Sequence, residues 1–195
     1  MSGVRIPGVI RFSTNTAARD LLRTKRMIVI GSGGSGKSTL AARLGEILGI
    51  RVIHLDSLYW KPGWREEPRS EWEETVRSQV RGETWIMDGN YGGTLDIRLA
   101  AAEAVIFLDL PRILCIRRVV ARRFRYAHES RPDMAPGCQE RLDLGFLKYL
   151  WKYPAERRPG ILRKLEQASR EKTVISLRSP EEVRGFVADL EGLVE

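Results

Sequence analysis

Residues 27–38 read Met-Ile-Val-Ile-Gly-Ser-Gly-Gly-Ser-Gly-Lys-Ser, and the interpretation of the whole chain depends on this stretch. Its first four residues form an apolar run that is typical of a short buried strand. The glycine-rich segment that follows fits the spacing Gly-x-x-x-x-Gly-Lys-Ser. A helical pattern with Leu40 and Leu44 on one face comes next. A strand, a glycine-rich turn and a helix in this order predict a phosphate-binding loop.

This loop, residues 31–38, is called the P-loop below, and it predicts a site for ATP and Mg²⁺. Its glycines let backbone amides point at phosphates, and the following helix adds the positive end of its dipole. The Lys37 ammonium is expected to reach the β- and γ-phosphates as a catalytic group, and the Ser38 hydroxyl is expected to bind Mg²⁺. The predicted ATP-binding residues of this segment are Gly31, Ser32, Gly33, Gly34, Ser35, Gly36, Lys37, Ser38 and Thr39.

The rest of the chain alternates between apolar runs of strand length and amphipathic helical patterns. After the first strand, the predicted strands are residues 52–55, 85–87, 105–108 and 173–177. Strands separated by helices predict an α/β fold of three layers, with a five-stranded parallel sheet covered by helices on both faces. The irregular stretch at about 124–140 contains two prolines and predicts a loop within a helical insertion at about 124–160.

Residues 1–26 are interpreted as a flexible extension of a domain that occupies residues 27–195. They carry six basic residues and one acidic residue, with no clear hydrophobic periodicity. They supply +5 of the formal charge of +8, so the predicted domain is only mildly basic. Within it, residues 112–170 hold fifteen basic and six acidic residues. A charge concentrated in this way suits a polyphosphate as well as it suits nucleic acid.

Composition excludes several other classes of protein. No apolar run approaches the roughly 20 residues that a transmembrane helix needs, so a membrane partner is not expected. The two cysteines, Cys115 and Cys138, lie outside any Cys-x-x-Cys pair, which argues against a disulfide scaffold or a zinc site and favours the cytoplasm.

Carboxylates at strand ends are the candidates for chemistry beside the P-loop. Asp88 ends the third predicted strand and is favoured as the Mg²⁺ ligand, whereas Asp109, which ends the fourth, is the alternative. Asp56 ends the second strand and is a candidate to accept the proton of an acceptor hydroxyl or to orient the acceptor.

Aromatic residues near these strand ends allow two interpretations. Trp60, Trp64 and Tyr91 either line the acceptor cleft or serve only as packing, and the sequence favours neither reading. His54 falls within the second strand and is interpreted as a packed core histidine.

The chain resembles the adenylate-kinase-like nucleoside monophosphate kinases and, more closely, the bacterial topology modulation proteins. The His-Leu-Asp and Asp-Gly-Asn-Tyr segments are more specific to this resemblance than the P-loop is. The matching stretches are residues 30–40, 54–60, 88–91, 108–112 and 131–151.

The resemblance implies the strand order 2-3-1-4-5 and a lid between the fourth and fifth strands. In adenylate kinases an arginine after the fourth strand stacks on adenine and a pair follows at the base of the lid. Those positions match Arg118 and then Arg122 and Arg123, the latter two being candidate catalytic residues. Arginines after the lid contact phosphates, and the loop after the fifth strand packs on the base. Arg131 and Arg141 match the arginines after the lid, and Arg178 matches the loop after the fifth strand.

One departure concerns the acceptor. Adenylate kinases continue Asp-Gly with Phe-Pro-Arg, and that arginine grips the phosphate of the acceptor nucleotide. Here the run is Asp88-Gly-Asn-Tyr-Gly-Gly, so Arg98 is the candidate substitute. This departure weighs against AMP as the acceptor and leaves Asp56, Trp60, Tyr91, Arg98, Arg131 and Arg141 as the candidate substrate residues.

These observations predict a P-loop kinase that uses ATP and Mg²⁺ to phosphorylate a small acceptor, either a nucleotide or a hydroxyl compound. The alternative is a nucleic-acid-associated or regulatory P-loop ATPase that affects DNA topology, with the arginine-rich segment on the phosphate backbone. A GTPase is disfavoured, because the chain has no Asn-Lys-x-Asp segment.

Overall fold

The computed structural model describes residues 14–125, 134–135, 137–138 and 143–194. Its strands are β1 (Arg26–Gly31), β2 (Val52–His54), β3 (Trp60–Lys61), β4 (Arg65–Glu66), β5 (Trp85–Asp88), β6 (Ala104–Leu108) and β7 (Thr173–Leu177). Its α-helices are α1 (Thr14–Leu21), α2 (Lys37–Leu48), α3 (Leu55–Tyr59), α4 (Arg69–Gln79), α5 (Leu95–Ala101), α6 (Arg112–Arg125), α7 (Leu144–Glu156), α8 (Arg158–Ala168) and α9 (Pro180–Glu191).

Five of these strands form one parallel sheet in the order β2-β5-β1-β6-β7. If only the strands of this sheet are numbered along the chain, the order is 2-3-1-4-5, so the predicted fold class and strand order are confirmed. The P-loop strand β1 lies in the centre, and its carboxyl end therefore opens between two neighbouring strands, where ligands bind in sheets of this kind.

Two apolar cores cover the two faces of the sheet, which makes three layers. Alternate side chains of β1 go to opposite faces, as the pleat of a strand requires. Met27 and Val29 join the core that includes residues of α1, α2, α6 and α9, whereas Ile28 and Ile30 join the core that includes residues of α4, α5 and α8. The apolar runs of the sequence are thus buried on both faces.

The second predicted strand is shorter than expected. It ends at His54, and Asp56 lies in the first turn of α3 instead of ending the strand. After α3, the short antiparallel strands β3 and β4 form a hairpin that periodicity did not predict. We call residues 60–66 the Trp hairpin, since Trp60 and Trp64 are its two tryptophans.

The interpretation of residues 1–26 as a flexible extension is wrong for residues 14–26. Residues 14–21 form α1, which packs against α9, and β1 already begins at Arg26. Ala17, Ala18 and Leu21 are buried in the core. This helix has only eight residues, two of them alanines on its apolar side, and the sequence analysis did not recognise it. Residues 1–13 lie outside the described part of the chain.

The predicted insertion between the fourth and fifth strands contains α7 and the start of α8 in its described part. Most of the irregular stretch at about 124–140 lies outside the described residues. Its described pieces, residues 134–135 and 137–138, pack against the Trp hairpin: Met134, Ala135 and Cys138 form a small apolar cluster with Trp60 and Trp64.

Candidate active site

The P-loop connects the carboxyl end of β1 to the first turn of α2. Gly34 and Gly36 have φ values of 75° and 96°, a left-handed conformation that favours glycine. A Cβ atom on Gly34 would lie 2.3 Å from the carbonyl oxygen of Cys115, so α6 packs directly on the loop. The loop can therefore keep this path only while the residue at position 34 has no side chain.

Polar groups converge on the inside of this loop. The Lys37 Nζ donates to the Ser32 carbonyl at 3.2 Å. The hydroxyl oxygens of Ser32 and Ser35 are buried and have no hydrogen-bond partner among the described residues. Buried hydroxyls without partners are rare, because each costs desolvation energy. Together with the glycine cradle and the N-terminus of α2, they fit a site built for phosphate oxygens.

The two candidate metal carboxylates have different partners. Since β5 and β6 both pair with β1, adjacency to the P-loop strand does not distinguish Asp88 from Asp109. Arg158 donates from Nε and Nη2 to the two carboxylate oxygens of Asp109, at 2.7 and 2.6 Å. Asp88 instead lies within 2.8 Å of the Nδ1 atom of His54. Asp109 is thus engaged by a bidentate ion pair that anchors α8, and this favours Asp88 for the metal.

His54 is not the packed core histidine that the sequence suggested. Its side chain is 23% exposed, it lines the cleft in front of the P-loop, and it hydrogen-bonds the Asp88 carboxylate. The strand ends here, so the last residue of β2 points into the cleft instead of into the core. Among the described residues no cluster of three acidic, histidine or cysteine side chains could hold a metal. Mg²⁺ needs none, since one or two carboxylates and substrate phosphates suffice.

Asp56 is held by a tyrosine from the neighbouring strand end. The Tyr91 hydroxyl donates to Asp56 Oδ1 at 2.6 Å. Burial raises the pKa of Tyr91, and the charge of Asp56 raises it further, so the phenol stays protonated and acts as the donor. Both residues line the same cleft as the P-loop. The structure thus brings the predicted proton acceptor to the same opening as the predicted phosphate site.

Aromatic rings form the wall of the cleft on the Asp56 side. Tyr59 contacts Tyr91 with ring centroids 4.7 Å apart and Trp60 at 5.1 Å, and Trp60 contacts Trp64 at 5.2 Å. Trp72 lies behind them and is buried. The four front rings, Tyr59, Trp60, Trp64 and Tyr91, line the cleft, so they are more than internal packing. We call these four residues the aromatic wall.

The predicted arginines have several different positions. Arg118 and Arg122 line the cleft, and the Arg118 guanidinium donates to the Ser35 carbonyl of the P-loop at 3.0 Å. Arg123, one position further along α6, and Arg178, after β7, are not among the described residues that line the cleft. Arg131 and Arg141 lie outside the described residues.

Arg98 does not replace the phosphate-gripping arginine. Its side chain is completely buried, and it donates to the carbonyl oxygens of Gly89, Asn90 and Tyr91 at 2.8, 2.6 and 3.1 Å. Burial lowers the pKa of Arg98 to about 10, which still leaves the guanidinium protonated at neutral pH. The prediction that Arg98 contacts the acceptor is therefore wrong, because its two terminal nitrogens donate to the backbone of the loop after β5.

Sequence reasoning missed several cleft residues. The Oδ1 atom of Asn90 accepts from the Gly31 amide at 3.0 Å and ties the loop after β5 to the P-loop. Phe146, Tyr149 and Tyr153 of α7 also line the cleft, and a Cβ on Gly33 would lie 2.6 Å from Phe146 Cζ. The three rings recur at helical spacing and could have been recognised as one face, but only the fold shows what that face covers.

Comparisons with known proteins give the fold and one distant relative. No protein-family model matches the chain. The uncharacterized protein YqaC of Bacillus subtilis (strain 168) is 28% identical over 133 residues, which cover 66% of this chain and 72% of that protein. Shikimate kinase from Bacteroides thetaiotaomicron is similar in structure with a TM-score of 0.53 at 16% identity, covering 88% of this chain and 98% of that one.

A second shikimate kinase, from Acinetobacter baumannii in complex with shikimate, gives a TM-score of 0.52 at 15% identity, covering 91% of this chain and 96% of that one. At such identities the likeness concerns the fold alone, and the chain has the α/β fold of these P-loop kinases. Within the described residues, no helix is long and apolar enough to cross a membrane.

Proposed function

We propose that this protein is a kinase that uses ATP and Mg²⁺ to phosphorylate a hydroxyl group of a small acceptor. The observation that carries the proposal is a single cleft in which the P-loop, with its partnerless serine hydroxyls, faces the Tyr91–Asp56 pair. A phosphate cradle and a carboxylate in one opening are the two parts that a hydroxyl-directed phosphoryl transfer needs.

The residues present fit the ATP–Mg²⁺ group. The amides of the P-loop and Lys37 would hold the β- and γ-phosphates, Arg118 and Arg122 would add positive charge, and Ser38 with Asp88 would hold the metal. When bound, Mg²⁺ would neutralise the charge that develops on the phosphate oxygens during transfer. The bond between His54 and Asp88 fixes the direction of that carboxylate in advance.

Asp56 has the role of receiving the proton of the acceptor hydroxyl. The Tyr91 hydroxyl donates to it, because the raised pKa of the phenol keeps the proton on the tyrosine. A carboxylate held by a fixed donor keeps its orientation while the acceptor approaches, which favours productive geometry. On the resemblance alone, Arg123 remains a proposed catalytic residue and Arg178 a proposed nucleotide contact. The proposed acceptor contacts on the same basis are Arg131 and Arg141.

Membership of the topology modulation protein family is part of this proposal and is supported by the quoted motifs. Cytoplasmic location is proposed with it, because Cys115 and Cys138 are both buried and unpaired. Neither proposal affects the chemistry of the cleft.

The test compares the protein with its Lys37→Ala variant. ATP with Mg²⁺ is supplied with a panel of small hydroxyl compounds, and phosphorylated products are detected by mass spectrometry. We expect the substitution to lower turnover by about a hundredfold or more, since the developing charge on the γ-phosphate loses its cation. Lys148→Ala, on the exposed side of α7, is the matched control and is expected to leave turnover unchanged. Near-normal turnover by Lys37→Ala would refute the kinase assignment.

A further inference from the structure

Two residues of the aromatic wall carry backbone strain. Among the described residues, the non-glycine residues with positive φ are Trp64, at 61°, and Tyr91, at 26°. A bulky side chain in this region is unfavourable and persists only where the surroundings enforce it, commonly at functional sites. Both strained residues are rings of the same wall, on different segments of the chain, and both line the cleft.

Among the described residues, two carboxylates accept hydrogen bonds from rings of the wall, and Arg65 of the Trp hairpin donates from Nε to the Pro62 carbonyl. Asp56 accepts from Tyr91, and Glu66 at the end of the Trp hairpin accepts from the Tyr59 hydroxyl at 2.9 Å. Lys61 of the hairpin is paired with Glu67, and Arg98 is turned toward backbone carbonyls. Arg157 and Lys164 line the cleft from the α7–α8 side, and Lys164 is bonded to Asp96.

An anionic acceptor placed against this wall would face the carboxylates of Asp56 and Glu66 at short range. Like charges near a low-dielectric apolar surface repel strongly, and this repulsion disfavours carboxylate and phosphate monoester acceptors. A flat uncharged ring, in contrast, gains contact area and ring–ring interaction with Trp60, Trp64 and Tyr91. The carboxylates and the flat rings of the cleft therefore both favour an uncharged acceptor with a flat ring.

We infer that the acceptor is a neutral hydroxyl compound that carries a flat ring, of the nucleoside type, held against the aromatic wall with its hydroxyl donating to Asp56. This inference rests on the proposed kinase function and names its substrate class. In the transfer, the hydroxyl oxygen forms a bond to the γ-phosphorus while the bond from that phosphorus to the β,γ-bridging oxygen breaks. The broken bond's electron pair leaves with ADP, and the hydroxyl proton passes to Asp56.

The experiment uses matched pairs of acceptors that differ only in a phosphate. Adenosine is compared with AMP and cytidine with CMP, with shikimate as a third anion, in the presence of ATP and Mg²⁺. ATP binding is measured separately by calorimetry. We expect product from the nucleosides, with kcat/KM at least tenfold higher than for the corresponding nucleotide. A preference for the anions, or turnover of neither set by a protein that binds ATP, would overturn the inference. Failure to bind ATP would instead refute the proposed function.

Two variants test whether the aromatic wall binds the acceptor. Trp64→Gly removes a ring and relieves the positive φ, so we expect the variant to fold, with a KM for the nucleoside raised roughly tenfold and a KM for ATP unchanged. Trp151→Ala, at a 52% exposed position on α7 outside the cleft, is the control and should change neither constant. An unchanged nucleoside KM in a folded Trp64→Gly protein would show that the wall does not hold the acceptor.

Discussion

At the scale of single residues, the site depends on side chains whose partners give them different tasks. Asp88 and Asp109 illustrate this, since they follow the same pattern in the sequence and lie at the ends of the two strands that flank β1. Asp88 is hydrogen-bonded to His54 in the cleft, whereas Asp109 accepts from the Nε and Nη2 atoms of Arg158. Their substitution should therefore affect different properties of the protein.

We predict that Asp88→Asn abolishes Mg²⁺-dependent turnover with little change in the free energy of unfolding, because the carboxylate charge serves the metal. Asp109→Asn should instead lower the free energy of unfolding by about 1–2 kcal/mol, since the partly exposed Arg158 loses a charged acceptor. Steady-state kinetics and urea denaturation of both variants measure the two effects. If Asp109→Asn abolishes turnover and Asp88→Asn only lowers the free energy of unfolding, the assignment of the metal to Asp88 is wrong.

Arg98 acts through the loop that it holds. We predict that Arg98→Lys, which keeps the charge but replaces the planar guanidinium fork with a single ammonium group, raises the KM for the acceptor more than the KM for ATP. The reason is that Asn90 and Tyr91 lose the support of their backbone. Arg98→Ala leaves those buried carbonyls without donors, and we expect a loss of about 2–4 kcal/mol of unfolding free energy. An unaltered acceptor KM for Arg98→Lys would contradict this positioning role.

At the scale of elements, α1 is part of the folded core. Leu21 is completely buried, whereas its neighbour Leu22 is 40% exposed, so the two leucines form a matched pair. We predict that Leu21→Ala lowers the free energy of unfolding by about 2–4 kcal/mol, because it leaves a cavity between α1 and α9. Leu22→Ala should cost well under about 1 kcal/mol. Equal and small effects in thermal or urea denaturation would show that α1 does not stabilise the domain.

The Trp hairpin is bonded to the segment between α6 and α7. The Gly63 amide donates to the Gly137 carbonyl at 3.2 Å, and the Cys138 thiol donates to the Lys61 carbonyl at 3.3 Å. These bonds connect the wall of the acceptor side with the part of the chain for which the sequence predicted a lid. A ligand that orders one of these elements is therefore expected to order the other.

We predict that ATP with Mg²⁺ slows amide exchange in residues 31–39 and also in residues 60–66, although the hairpin supplies no predicted phosphate contact. Hydrogen exchange detected by mass spectrometry measures this, with residues 14–21 of α1 as the internal control that should not change. Cys138→Ala should weaken protection in the hairpin and leave protection of the P-loop intact. Protection confined to the P-loop would argue against this coupling.

At the scale of the whole molecule, the parallel sheet determines where chemistry can occur. The carboxyl ends of β1, β2 and β5 place the P-loop, His54 and Asp88 at one edge of the sheet. Helix α3 adds Asp56, and the loop after β5 adds Asn90 and Tyr91. Helices α6 and α7 close the sides of the cleft with arginines and aromatic rings. Arg118 is bonded to the P-loop, whereas Asp56 and Glu66 are bonded to rings of the aromatic wall, and this separation supports the proposed ATP donor and neutral acceptor.

The sequence by itself determined the strands of the parallel sheet and predicted the phosphate site, because these depend on local signals: apolar runs, a glycine spacing and helical periodicity. Residues 27–38 were sufficient for the P-loop, and the resemblance supplied the strand order that the structure confirms. Only the tertiary structure decided which hydrogen-bond partner each side chain of the site has. Three hydrogen-bonded contacts illustrate this: Arg98 with the loop after β5, Arg158 with Asp109, and His54 with Asp88. They join positions up to 49 residues apart. Burial of α1 and the bonds of Asp56 and Glu66 to rings of the aromatic wall also depend on the packing of the folded chain, and no local pattern encodes such contacts.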